Sequence, residues 1–299
     1  MISVCTLAGG RAGHLHNIVL GLDAQLVPPD ELVIAVMQDE PYVLPETRFP
    51  VRQLMIGGGG IPLAAARNAA ARAAEGETLI FLDVDCIPDP AFVGDYARLL
   101  GEMDAVLMGE VLYLPAGATD TGIDIDRFAR IGVKHSERAG PPVEATGACS
   151  DYRCFWSLNF AMRRATFLAL GGFDERYVGY GGEDTDFGRM VVEAGIPIHW
   201  CRGARVYHQH HTHHMPPVHH VDSVIANAAR FRDKWGHFTM EHWLRAFTLM
   251  GLVRLEKGEH VRLRDVNEAD LALTRQQADQ PYASTATVLA LLEARMAAA

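Results

Sequence analysis

The stretch TLIFLDVDCIPDP (Thr78–Pro90) decides the fold. Its first half is an unbroken apolar run of the length of a buried strand, and its second half is acids and prolines that end one. Asp83 and Asp85 stand two apart, and side chains at that spacing share one face of a strand, so both carboxylates point into one crevice. In open α/β sheets that crevice, beyond the carboxyl ends of the strands, is where ligands bind. Two close carboxylates repel each other and favour a cation. Mg2+ and Mn2+ accept oxygen ligands and bridge to phosphates, which makes them the expected ions. A turn cap beside a solvated acid would give the same letters, so the pair alone leaves both readings open.

The flanking sequence repeats the strand-then-helix order. ISVCTLA (2–8) reads as a strand and HLHNIVLGLDAQL (14–26) as a helix. ELVIAVMQDE (31–40) is a second buried strand. After GGGGIP (57–62) comes an Ala-rich helix, LAAARNAAARAA (63–74), which Pro62 opens and Gly76 closes. AFVGDYARLL (91–100) is a further helix. This alternation predicts an α/β fold with a mostly parallel sheet and helices on both faces. Residues 114–150 are rich in Gly, Pro, Thr and Asp and show no period, which reads as a long functional loop. Within it Asp120, Asp124 and Asp126 lack the spacing and distal glutamate of a calcium loop, so they read as a solvated turn. CFWSLNFAMRRATFLALGGF (154–173) resumes strand-then-helix character, and GIPIHWCRGARVYHQ (195–209) reads as two short strands about a turn. From 221 onward VDSVIANAARFRDKWG and MEHWLRAFTLMGL read as amphipathic helices of an all-helical tail, packed on the body by default.

The chain has 299 residues, 49% hydrophobic and 21% charged, as in ordinary globular proteins that bury a sizeable core. A formal charge of −10 argues against a nucleic-acid surface, which needs clustered Lys and Arg. No apolar run is long enough for a membrane span, and MISVCTLAGG lacks the features of a signal peptide. The 5 cysteines show no C-x-x-C spacing and read as reduced thiols of a cytoplasmic protein. The sequence leaves the oligomeric state open, homo-oligomers included.

Two further stretches carry chemistry. In GGFDERYVGYGGEDTDFG (171–188) the acids Glu183, Asp184 and Asp186 follow Tyr180, Gly181 and Gly182 and lead into a helix. The helix dipole favours acids there, so capping alone explains them. The glycines also leave the carboxylates exposed at a turn, where one can act as general base toward a sugar hydroxyl. In RVYHQHHTHHMPPVHH (205–220) a zinc site of histidines alone is one reading. The other is a single histidine that completes the Asp-x-Asp metal site. His208, the first after the strand ARVY, is favoured for that role.

LAGGRAGHL (7–15) resembles the nucleotide-binding loop of sugar-nucleotide pyrophosphorylases, but Ala12 stands where those enzymes carry glycine and His14 where they carry arginine. Gly-rich turns after a first strand suit nucleotide binding in general. Taken together and in order, ARN (66–68), FLDVDC, SLNFAMRR, GGFDERYVGYGGEDTDFG and VYHQHH resemble the family 2 glycosyltransferases of GT-A fold, with a second half similar to β-1,4-galactosyltransferases and chondroitin polymerases.

That resemblance implies a GT-A domain over 1–220, with 1–110 holding the nucleotide sugar and 111–220 the acceptor, and a helical C-terminal extension over 221–299. It implies transfer from a nucleoside diphosphate sugar, a UDP-sugar by expectation, to a saccharide or other hydroxyl acceptor, with inversion. Thr6, Arg11, Asp39, Arg67, Asn68, Asp83 and Val84 would meet the donor, and Asp85 with His208 would hold Mn2+ or Mg2+. Asp184 would be the base and Glu183 would orient the acceptor hydroxyl. Trp156, Tyr180 and Gly182 would line the acceptor site, although Trp156 also reads as a core aromatic. The family usually has tryptophan at the position of Tyr180. A pyrophosphorylase-like nucleotidyltransferase and a non-catalytic sugar-nucleotide or metal-binding module are the alternatives.

Overall fold

The computed structural model describes residues 1–57, 60–277 and 279–297. Gly58 and Gly59, in the GGGG stretch ahead of the Ala-rich helix, lie outside the described residues. In chain order the elements are β1 (Ile2–Ala8), α1 (Ala12–Asp23), β2 (Glu31–Val36), β3 (Val51–Met55), α2 (Leu63–Ala73), β4 (Thr78–Leu82), β5 (Cys86–Pro88), α3 (Phe92–Glu102), β6 (Val106–Met108) and β7 (Val111–Tyr113). Then follow α4 (Ile125–Ile131), β8 (Thr146–Ala148), β9 (Asn159–Arg163), α5 (Arg164–Ala169), α6 (Glu183–Glu193), β10 (Ile198–Cys201) and β11 (Val206–His208). The last part comprises α7 (Val221–Trp235), α8 (Glu241–Leu249), β12 (Val253–Glu256), β13 (Glu259–Arg262), α9 (Glu268–Thr274) and α10 (Thr285–Ala297).

An 8-stranded sheet runs in the order β3-β2-β1-β4-β9-β6-β10-β8. The strands from β3 to β4 are parallel, whereas β9 is inserted antiparallel to both β4 and β6. Alternation along each strand feeds two cores. Val4 and Ala8 of β1 and Ile80 and Leu82 of β4 pack with α1 and α3. Cys5 and Leu7 with Leu79 and Phe81 face the opposite layer, which α2, α5 and α6 cover. Phe81, Phe160, Phe167, Phe173 and Phe187 meet there, the Phe173 and Phe187 rings stacked at 4.3 Å. Helices on both faces of the sheet agree with the α/β expectation.

A smaller sheet, β5-β11-β7, positions the site. The antiparallel pairing of β11 with β5 sets His208 opposite Cys86, and Gln209 donates its backbone N–H to the Asp85 carbonyl at 2.6 Å. On the other side of β11, His208 is in register with Tyr113. The strands expected about a turn at 195–209 therefore exist as β10 and β11 but pair in different sheets.

Three expectations need correcting. The edge strand β3 was not anticipated, because VRQLM is half-exposed and lacks an apolar run. The loop 114–150 holds α4, on which Asp124 is a helix cap that accepts from the Arg127 backbone N–H, and the short β8. The tail is not all helical, since β12 and β13 form a hairpin in it. Its turn residues Lys257 and Gly258 both have positive φ, as two-residue hairpin turns favour. The tail has its own small core, built from Val221, Val224, Leu244, Phe247 and Val253 among others.

Candidate active site

One cavity of about 1380 Å³ gathers residues from the end of β4, the start of α6, the histidine segment and the C-terminal helices. On its wall lie Arg11, Arg67, Asp83, Trp156, Tyr180, Gly182, Glu183, Asp184 and His208, all singled out from the sequence. Thr6, Asp39, Asn68, Val84 and Asp85 are not on that wall, so of the two acids expected to point into one crevice only Asp83 lines it. Thr6 is buried in β1 and Asp39 is exposed beyond the end of β2. Val84 is buried and donates its backbone N–H to Asp83 Oδ1 at 2.8 Å. The Asn68 side chain is used inside the protein: Nδ2 donates to the Phe173 carbonyl at 2.8 Å and to Glu175 at 2.9 Å, and Oδ1 accepts from the Phe173 N–H. Its part is to brace the turn ahead of the acidic motif.

A second turn, directly before the acids, is set by glycine. Gly181 and Gly182 have φ of 89° and 93°, where a side chain is strained, and the chain then enters α6 at Glu183. The helix dipole favours the acids of this first turn. From the C-terminal part, Ser223 accepts the Tyr180 N–H at 3.1 Å and Asn227 donates to the Gly181 carbonyl at 2.8 Å. Tyr180 stacks on Trp243 at 5.8 Å and on His220 at 5.0 Å. The tail is thereby a wall of the cavity. Trp156 is half-buried on the opposite side, packed edge-on against His135 at 5.1 Å, so the core-aromatic reading does not apply.

Asp85 is buried, and Arg11, His14 and His211 all reach it. His14 Nδ1 lies 2.5 Å from Oδ1 and His211 Nε2 lies 3.3 Å from Oδ2. Burial opposes the charge on Asp85, but the hydrogen bonds from His14 and His211, with His208 nearby, hold its carboxyl well below the ordinary range. Asp83 is pushed the other way by burial and by the charge of Asp85. One donor atom each from Asp85, His208 and His211 lies within 4.8 Å of the others. Burial takes His208 down to about 3, so its imidazole is neutral, and Nδ1 has no hydrogen-bond partner. A carboxylate with two imidazoles fits a divalent transition ion such as Mn2+. His14 and His211 escaped the sequence reading. His211 was hidden among neighbouring histidines, and His14 registered only as a departure from another family's loop.

Across the cavity, Glu183 pairs with Arg67 at 3.0 Å. Burial and the neighbouring Glu183 charge raise Asp184 to about 7, poised to exchange a proton near neutrality. Two histidines of the Asp85–His208–His211 cluster and a near-neutral carboxyl group thus share one chamber. Among the described residues no helix is long and apolar enough to cross a membrane.

Two known families match this sequence. Residues 62–146 match glycosyl transferase family 2, and residues 142–214 match the N-terminal domain of galactosyltransferase. The chain is 27% identical to validoxylamine A glucosyltransferase of Streptomyces hygroscopicus subsp. limoneus, over 77% of its own length and 56% of that protein's. It is 28% identical to chondroitin synthase of Escherichia coli, over 50% of its length and 25% of that protein's. It therefore spans well under two thirds of either relative. In fold it is similar to a crystal structure of GalNAc-T7 with UDP, GalNAc and Mn2+, with a TM-score of 0.56 and 14% identity over 83% of this chain and 50% of that one. The two family matches together span 62–214, so this stretch is similar to family 2 glycosyltransferases in its first part and to galactosyltransferases in its second, on a fold shared with GT-A glycosyltransferases.

Proposed function

We propose that this protein transfers a sugar from a nucleoside diphosphate sugar, a UDP-sugar in the first instance, to a hydroxyl of a saccharide acceptor, inverting the anomeric centre. The observation that carries this reading is that His208 and His211, which cluster with Asp85 just behind them, line the same cavity as Asp184. The relatives are named for glucosyl transfer and chondroitin synthesis, and the fold neighbour was crystallised with UDP, GalNAc and Mn2+, which supports the same class.

In this reading Asp85, His208 and His211 hold a divalent ion, Mn2+ or Mg2+. When bound, the ion offsets the negative charge of the diphosphate leaving group. Residues 1–110 receive the donor, with Arg11 and Asp83 beside the ribose and diphosphate and Arg67 near the donor sugar. Residues 111–220 receive the acceptor, and the segment after 221 walls that side. Asp184 takes the proton from the acceptor hydroxyl as its oxygen bonds to the anomeric carbon, while the bond to the diphosphate breaks and its electron pair leaves with the phosphate oxygen. Glu183, held by Arg67, orients the hydroxyl. Trp156 and Tyr180 offer ring faces to the C–H faces of the acceptor sugars. Attack from the side opposite the leaving group requires no sugar–enzyme intermediate.

A thermal-shift screen of nucleoside diphosphate sugars with and without Mn2+ tests the donor assignment, since a ligand of the folded state raises Tm by mass action. The expected result is a Mn2+-dependent rise with UDP or a UDP-sugar. No rise with any nucleoside diphosphate or its sugar conjugates would overturn the reading.

A further inference from the structure

The arginines on the cavity wall are Arg11, Arg67, Arg138 and Arg153. Arg11 is paired with Asp85, Arg67 with Glu183, and Arg153 with Asp151. Arg138 has no acidic partner among the described residues, although it is only 5% exposed. Neither of its terminal nitrogens makes a hydrogen bond. A guanidinium does not lose its proton in a protein, so this is a buried, uncompensated positive charge.

Its immediate surroundings do not neutralise it. The guanidinium carbon sits 5.2 Å from the Trp156 ring and 5.0 Å from the Trp200 ring. Ring faces attract the cation but leave its in-plane N–H donors unbonded. Arg138 also lines a small cavity of about 50 Å³ together with Glu110, but that carboxylate is already held by Arg205 at 3.0 Å and by the Gly203 N–H at 2.7 Å. Lys134, in the same small cavity, adds a second positive charge and donates to the Arg138 carbonyl. Next to Trp156, His135 is kept neutral by burial and by Arg138 itself.

The location also separates Arg138 from the cation corner. From His208 the wall passes through Tyr113, stacked at 4.6 Å, then His135 at 5.5 Å from Tyr113, then Trp156 at 5.1 Å from His135, before reaching Arg138. Arg138 is not a member of the Asp85, His208 and His211 cluster, and its guanidinium faces the Trp156 and Trp200 rings instead. Building on the glycosyltransferase reading, we propose that the acceptor is an anionic saccharide whose carboxylate, phosphate or sulfate is received by the unpaired Arg138 beside Trp156. The planar fork of a guanidinium matches such oxyanions with paired hydrogen bonds.

The test measures binding to the whole chain in UDP and Mn2+, using a disaccharide ending in a hexuronate, its neutral hexose counterpart, and a phosphorylated hexose counterpart. At least one anionic probe binds about tenfold or more tightly than the neutral one, as expected for charge-assisted hydrogen bonds. Which probe does so tells carboxylate from phosphate. In Arg138→Met that preference falls to within about twofold, while the response to UDP and Mn2+ is kept. Equal binding of neutral and anionic probes to the unaltered protein would overturn the proposal without needing any variant. An anionic preference that survives in R138M would overturn it as well. Absence of any UDP response, with the anionic preference and its loss in R138M intact, would count against the donor reading and support this one.

Discussion

Arg67 and Glu183, 116 residues apart in the chain, form an ion pair at 3.0 Å with both side chains buried. The pair joins the Ala-rich helix of the first half to the acidic motif of the second, and it stands next to Asp184. Arg67→Met leaves Glu183 buried and unpaired, and breaking such pairs costs about 3–5 kcal/mol. A lowered denaturation midpoint is expected. Arg67 also holds the Asp184 carboxyl down against burial and Glu183, so its loss moves the proton affinity of Asp184 upward. A double substitution, Arg67→Met with Glu183→Leu, recovers most of the stability but not the activity.

The proton state of Asp184 sets a pH profile. With its carboxyl raised to about 7, it is protonated and unable to act as base in acid, and it becomes competent as pH rises through neutrality. The acid limb of kcat is therefore expected near pH 7 rather than near the ordinary carboxylate range. In Asp184→Asn the turnover falls by about 10²–10⁴, and Mn2+-dependent UDP binding is retained. A profile flat from about pH 5 to 8 would refute the assignment.

The cation corner predicts a specific hierarchy. Removing Asp85 abolishes the Mn2+ dependence of UDP binding, because its carboxylate is the only anionic member of the three-residue cluster. His208→Ala and His211→Ala each weaken Mn2+ binding by about tenfold or more, since even the loss of an outer-shell partner costs 10–100-fold. A His211→Ala variant that titrates with Mn2+ like the wild type would exclude His211 as a ligand.

How far the sequence revealed all this depends on whether a feature is local. The apolar run of β4 with Asp83 and Asp85 at its end is a contiguous pattern, and so is the double glycine ahead of Glu183 and Asp184. Both were legible because a strand end and a helix start impose their own spacing. Contacts between distant segments were not. His14 meets Asp85 across 71 residues, and only the pairing of β5 with β11 brings His208 and His211 to the same place. Arg138 gave no signal, because an arginine in a Gly/Pro-rich loop reads as solvated until two tryptophans close over it. The strand β3 and the C-terminal hairpin were missed for a different reason: their residues are polar or half-exposed, so hydrophobic periodicity cannot find them. The Lys257–Gly258 turn was the one local sign of that hairpin.

The attachment of the C-terminal segment can be tested through Asp186, the third acid of the motif. Its side chain is fully buried and accepts from Lys234 Nζ at 2.7 Å, Trp235 Nε1 at 2.7 Å and the Tyr177 hydroxyl at 3.3 Å. These bonds clasp α6 to the end of α7, so the acidic motif and the tail that walls the cavity move as one body. Asp186→Ala leaves the Trp235 indole N–H and the Tyr177 hydroxyl without their partner, while Lys234 keeps Asp174 at 3.6 Å, and the loss is expected to cost about 1–3 kcal/mol. Because Asp186 does not line the cavity, the loss should act through position rather than through contact. At a temperature where the variant is still folded, KM for the acceptor rises while the Mn2+-dependent response to UDP is unchanged, since Asp85, His208 and His211 lie on other elements. An equal loss of UDP binding would show instead that the tail supports the whole cavity and not its acceptor side alone.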